Sequence, residues 1–176
     1  MPVYFWNDKD NKKYKKAYFN TFPGVWHHGD YININKDGGV KIFGRSDTTL
    51  NPGGVRIGTA EIYQTVERFK EVEDSLVIGQ PWSNDERIVL FIKMKDDFIL
   101  SDALIKKIKL SIKNSCSPRH VPQKIISIKD IPYTINGKKV ELAVKHIIQN
   151  IEVKNQDSLA NPEALDFYKE IVELNT

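Results

Sequence analysis

From residue 59 to residue 149 the apolar positions of the chain switch repeatedly between helical and strand spacing, and each switch predicts an element. Ile62, Val66 and Phe69 recur at steps of four and three, which predicts a helix running from Thr59, as its cap, to about Lys70. Asp74–Gly79 and Glu86–Lys95 read as strands, parted by the turn-rich Gln80-Pro81-Trp82-Ser83-Asn84-Asp85. Ser101 caps a second expected helix through about Asn114, with Leu104, Ile105, Ile108 and Ile112 inward and the lysines in water. Lys124–Ile128 reads as a further strand, and Val140–Gln149 as a third helix. Asn161-Pro162-Glu163 reads as a helix start with proline at the first helical position, followed by a stripe of Leu165, Tyr168 and Val172. Three strands with three or four helices give the class α+β.

The first thirty-five residues follow a different pattern. Tyr4, Phe5, Trp6, Tyr14, Tyr18, Phe19, Phe22, Trp26 and Tyr31 crowd a stretch with no regular period. So short a piece has too little volume to bury that many rings, so it is expected to be irregular and to pack on something else. Asp37-Gly38-Gly39 between Tyr31–Ile34 and Val40–Phe43 is a hairpin signal. A boundary near Asp47 separates 1–46 from 47–152, and the tail, 153–176, is a third piece.

Composition narrows the class without choosing a function. Hydrophobic residues make up 40% and charged residues 28%, ordinary values for a chain with a packed core. The uncharged run Ile88–Ile92 is far too short to span a membrane, and Met1-Pro2-Val3-Tyr4-Phe5-Trp6 lacks the pattern of a secretory signal. With one cysteine, Cys116, no disulfide forms within the chain, which suits the cytoplasm. The 26 basic and 23 acidic residues leave a net charge of +3. That excess gives no ground for a nucleic-acid partner and suits a small phosphate-rich ligand as well as it suits plain solubility.

Four segments carry candidate chemistry. Asp30, after His27-His28-Gly29, is placed either to accept from a ribose diol or simply to close a turn. In Gly44-Arg45-Ser46-Asp47 and on through Asn51-Pro52-Gly53-Gly54-Val55-Arg56-Ile57-Gly58, Arg45 and Arg56 offer planar forks for phosphate or ribose oxygens, and the glycines permit close approach. Thr59-Ala60 stands where a phosphate-binding P-loop would carry lysine and a hydroxyl, so this is no such loop. Ser117-Pro118-Arg119-His120-Val121-Pro122 is a proline-fixed connection. In Ile131-Pro132-Tyr133-Thr134-Ile135-Asn136-Gly137-Lys138, a tight turn holds Lys138 away from the domain, as a point charge for an anion or as a solvated turn lysine. His27, His28, His120 and His146 show no metal-ligand spacing.

In order and spacing these segments resemble the carboxyl-terminal motifs of the adenylate-forming superfamily, which holds acyl-CoA synthetases, peptide-synthetase adenylation domains and luciferases. Asn51–Tyr63, Pro118–Pro122, Ile131–Glu141 and Ser158–Glu163 are similar to the acetoacetyl-CoA synthetase family within it. The resemblance implies a mobile C-terminal lid over 47–152, after a β-rich remnant of a large N-terminal domain, with 153–176 as a helical extension. It implies a two-step ligase. A carboxylate attacks the α-phosphate of ATP to give an acyl-adenylate and pyrophosphate, and the CoA thiol then displaces AMP. Lys138 would contact the carboxylate and α-phosphate, Asp30 and Arg45 the ribose, and Arg56 the nucleotide phosphate. Asp47 would be the hinge, Gly54 would line the pantetheine tunnel, and Arg119, with Lys106, Lys107, Lys109 and Lys113, would meet CoA phosphates unless those lysines only keep a helix face wet. Magnesium is implied with ATP, its ligands outside these residues. Superfamily members often carry a basic residue where this chain has Tyr133. The phosphate loop, adenine pocket and acid pocket belong to a large domain absent from this sequence, so the chain alone is expected to be inactive. A separately encoded large domain that this chain docks onto is the alternative.

Overall fold

The computed structural model describes residues 2–153 and 155–176; Met1, where the signal-peptide reading begins, and Lys154 lie outside it. The chain divides into two compact units, Met1–Asp30 and Tyr31–Thr176.

The first unit is not irregular throughout. It contains helix α1, Lys12–Phe19, which buries none of its residues. The carboxylate of Asp8 holds its first turn, accepting from the backbone N–H of Lys13 at 3.1 Å and of Tyr14 at 2.8 Å. Tyr14 and Tyr18, one turn apart, meet edge-on at 5.3 Å between centroids, and Phe5 closes the trio at 5.7 and 5.8 Å. Trp6 stays 92% exposed, in keeping with a piece too small to bury its rings.

Strand β1 (Asp30–Ile34), whose first residue closes the first unit, pairs with β2 (Val40–Arg45) in a two-stranded hairpin at the start of the second. Its main body is a three-stranded sheet ordered β3-β4-β5, formed by Val72–Trp82, Asp85–Met94 and Lys124–Ser127. β3 and β4 are antiparallel, and β5 runs parallel to β4 after a crossover through α3, Asp102–Ser115. Both faces of this sheet are covered. Val77, Ile88, Leu90 and Ile92 point to one side, against Ile62 and Val66 of α2 (Thr59–Val66) and Leu104, Ile108 and Ile112 of α3. Leu76, Ile78, Val89 and Phe91 point to the other, against Val144 of α4 (Glu141–Ile148) and the tail residues Leu165, Tyr168 and Leu174. Burial on two faces explains why Ile88–Ile92 is a continuous apolar run instead of an alternation.

Several boundaries differ from those expected. Gly58, with no side-chain bond, takes the cap position of α2 and Thr59 is its first residue; α2 stops at Val66 because two tight turns follow, Phe69 N–H to Val66 C=O and Val72 N–H to Phe69 C=O. The strands run on through Gln80-Pro81-Trp82, since the reversal needs only Ser83 and Asn84, both at positive φ (48° and 64°). Ser101 caps α3 as expected, its hydroxyl accepting from Leu104 N–H at 3.3 Å. The tail is built of 3-10 turns, Pro162–Tyr168 and Val172–Asn175, and not of an α-helix. Three residues per turn bring Leu165 and Tyr168 inward from the first turn; in the second, after the extended Lys169 and Glu170 at φ 55°, Leu174 is buried and Val172 exposed.

Candidate functional site

Lys138 sits on a four-residue reversal whose backbone is fixed from within. Thr134 N–H donates to Lys138 C=O at 2.8 Å, Gly137 N–H to Thr134 C=O at 2.8 Å, and Lys138 N–H to the Thr134 hydroxyl at 3.1 Å. Gly137 adopts φ +71°, the left-handed turn position that glycine accepts without strain. The Lys138 side chain is exposed and makes no hydrogen bond or ion pair among the described residues. Its neighbour Lys139 is used up internally. The Lys139 ammonium lies 2.6 Å from a Glu67 oxygen, 2.7 Å from Asp74 and 2.6 Å from the Ser75 carbonyl, over the Tyr63 ring at 4.2 Å. Two consecutive lysines thus differ entirely in availability.

Beneath this turn lies a second layer of polar groups. The Tyr63 hydroxyl donates to Glu141 at 3.0 Å and accepts from Val77 N–H at 3.1 Å. Burial lifts the Tyr63 phenol well above its ordinary range, and the Glu141 carboxylate beside it adds to that; burial likewise raises Glu141. Burial first, and then the Asp74 carboxylate, push Tyr133 well above the usual phenol range, so its hydroxyl keeps its proton and donates to Asp74.

Gly53 and Gly54 both sit at positive φ, 58° and 76°, in a 3-10 turn after Asn51. The β3–β4 hairpin ties this loop down: Asp85 accepts from Gly53 N–H with both oxygens at 3.0 Å, and Glu86 accepts from Asn51 N–H at 2.6 Å. A side chain on Gly53 would come within 3.4 Å of the Arg119 guanidinium, whereas one on Gly54 would meet open space. The structure therefore brings Gly53, the neighbour of Gly54, beside Arg119. Ser117 steers Arg119 by accepting from its N–H at 3.2 Å, and binds His120 Nδ1 at 2.8 Å. His120 Nε2 reaches Glu61 at 3.2 Å, and Glu61 also pairs with Lys41 at 2.9 Å.

Arg45 and Asp47 form a fork-to-carboxylate pair, Nε and an Nη each 3.3 Å from an Asp47 oxygen. Both line a cleft of about 610 Å³ that also takes in Lys139, Glu141 and His146 but not Lys138. Arg56 is exposed and makes no hydrogen bond or ion pair among the described residues. Asp30 belongs to the first unit, where it pairs with His28 at 2.8 Å. No group of three or more His, Cys, Asp or Glu side chains among the described residues is arranged to hold a metal ion, and no described helix is long and apolar enough to cross a membrane. The sequence singles out Lys138, Gly54 and Arg119; the residues that hold their loops, Asp74, Asp85 and Glu86, carry no local motif and emerge only from the fold.

No protein-family model matches the chain. Over 176 residues it is 53% identical to the acetoacetyl-coenzyme A synthetase of Rhizobium meliloti (strain 1021), covering 100% of this chain and 27% of the relative. The acetoacetyl-CoA synthetase of Xenopus tropicalis is 55% identical over 99% of the chain and 26% of its own length. Among solved structures, acetoacetyl-CoA synthetase from Streptomyces lividans superposes with a TM-score of 0.90 at 42% identity, over 100% of this chain and 27% of that one. An anthranilate CoA ligase, AuaEII, solved with anthranoyl-AMP, gives a TM-score of 0.63 at 28% identity over 74% of the chain and 25% of its own. The chain spans about a quarter of the length of the relatives it matches, 26–27%, and corresponds to their C-terminal portion.

Proposed function

We propose, from the premise that this chain is homologous to the C-terminal portion of the acetoacetyl-CoA synthetases, that it caps and completes the active site of an ATP-dependent, AMP-forming acid–CoA ligase acting on acetoacetate. The observation that carries the reading is the exposed ammonium of Lys138 on an internally fixed turn, within a chain alignable end to end with those enzymes. Residues 1–46 are taken as the end of the large domain, 47–152 as the lid and 153–176 as its extension.

In the first half-reaction the acetoacetate carboxylate attacks the α-phosphorus of ATP and pyrophosphate leaves. Two anions approach each other, and a fixed cation supplied by Lys138 offsets the charge that gathers between them. Arg45 holds the ribose and Arg56 the nucleotide phosphate. The lid then turns about Asp47, which swings Lys138 away and presents the Gly54 face. There the thiol arm of CoA passes a residue with no side chain, Arg119 meets a CoA phosphate, and the thiolate displaces AMP. Magnesium accompanies ATP in such chemistry; none of the described residues is assigned to it. The single cysteine, Cys116, is a free thiol, which fits a cytoplasmic enzyme.

The test joins this chain to the large domain of the Rhizobium meliloti relative in place of that enzyme's own C-terminal portion. Acetoacetate-dependent pyrophosphate release by the chimera, and none by the chain alone, is the expected result. A chimera that folds but releases no pyrophosphate would overturn the assignment. The mass of the native polypeptide separates a covalent large domain from a separately encoded one.

A further inference from the structure

The geometry points to Asp74 as the residue that positions Lys138, an inference that rests on the role proposed for that lysine. Tyr133 and Lys139 are the bridge partners on either side of the Lys138 reversal. Each sends its side chain back to the same carboxylate. Tyr133 donates through its hydroxyl to Asp74 Oδ2, and the Lys139 ammonium lies 2.7 Å from Asp74 Oδ1. Both feet of the turn are therefore stapled to one point on β3. Asp74 is itself held, since Oδ1 also accepts from Ser75 N–H at 2.7 Å, and the register of β3 against β4 shifts between Val72 and Asp74. Such a bulge re-aims a side chain that an unbroken strand would send elsewhere. Lys139 adds second anchors at Glu67 and the Ser75 carbonyl.

The arrangement uses the residue in which this chain departs from the commoner pattern. A cation at position 133 would face the Lys139 ammonium across the same carboxylate. A tyrosine hydroxyl, kept protonated by burial and by Asp74, donates there without adding charge. The turn can then hold its single exposed charge at a set height above the sheet, which matters because displacement of a catalytic group by about 1 Å can cost on the order of 100-fold in rate.

The experiment uses the active chimera and measures the two half-reactions separately: pyrophosphate release with ATP and acetoacetate, and thioester formation from supplied acetoacetyl-adenylate and CoA. Asp74→Ala is expected to slow the first by about 10- to 100-fold, mainly in kcat, and to leave the second within about twofold. Tyr133→Phe, which deletes one hydroxyl from a position its ring still fills, is expected to show the same selectivity more weakly. Added to Lys138→Ala, neither change slows adenylation further, because residues that act as a unit are not additive. If Lys138→Ala abolishes adenylation while Asp74→Ala and Tyr133→Phe leave it untouched, or slow both half-reactions equally, the positioning role is wrong. If Lys138→Ala itself has no effect, the proposed function falls first.

Discussion

Truncating Tyr168 tests whether the tail is part of the second core layer or merely rests upon it. Its ring is 1% exposed and stands edge-on to Phe91, 4.9 Å between centroids at 80°, while its hydroxyl donates to the Asp130 carbonyl at 3.1 Å. Tyr168→Ala removes a whole ring from a site closed by Leu165, Leu174 and Phe91, so the lost transfer energy and the cavity together cost about 3–5 kcal/mol. Tyr168→Phe keeps the ring and loses one hydrogen bond, for about 0.5–1.5 kcal/mol. Against a total stability of roughly 5–15 kcal/mol the first change is severe and the second modest. Urea unfolding of the purified chain, followed by far-UV circular dichroism, reads both. The midpoint is expected to fall in the order wild type, Phe, Ala. A Tyr168→Ala loss below about 1 kcal/mol, no more than an average point mutation costs, would refute this packing.

Three further outcomes are expected from the same chain. Gly58→Ala would place a methyl 2.4 Å from the Phe43 carbonyl oxygen, forcing β2 off the start of α2, and should lower stability by about 1–3 kcal/mol in urea titrations. Ser101→Ala removes the cap of α3 and should cost about 1 kcal/mol by the same measurement, with Ser101→Asp close to wild type. Partial burial pushes the Glu61 carboxyl up, but hydrogen bonds and charge from Lys41 and His120 outweigh it and hold it below its usual 4.5. A depressed folded-state value means stabilisation that is complete above 4.5 and fades as pH falls through the lower folded value, so Glu61→Gln should flatten the loss of stability as pH drops below 4.5.

Much of the main body was legible because its elements bury single faces at a regular spacing. Leu104, Ile108 and Ile112 announce α3, and the unbroken Ile88–Ile92 announces a strand covered on both sides. Where burial is weak the signal vanishes: α1 buries nothing, and its stretch reads as irregular. The tail misled because its first 3-10 turn ends at Tyr168, and the break through Lys169 and Glu170 resets which side faces inward, so Leu174 is buried and Val172 is not. At the site, Asn136-Gly137 disclosed a turn that holds Lys138 outward. Nothing in the pair Lys138-Lys139 disclosed that the second is bound by Glu67 and Asp74, since those partners lie 72 and, by subtraction, 65 residues away, one at the end of α2 and the other beside the bulge in β3. Asp85, which reads as a turn residue, and Glu86, which reads as the start of a strand, were hidden for a similar reason: their partners Gly53 and Asn51 lie 32 and 35 residues away.

The central claim is that Lys138 serves adenylation and not thioester formation, and Lys138→Ala in the chimera tests it most directly. Loss of the removed electrostatic contact predicts a fall of about 10²–10³ in acetoacetate-dependent pyrophosphate release, with thioester formation from supplied acetoacetyl-adenylate preserved. Equal losses in both half-reactions, or none in the first, would contradict it.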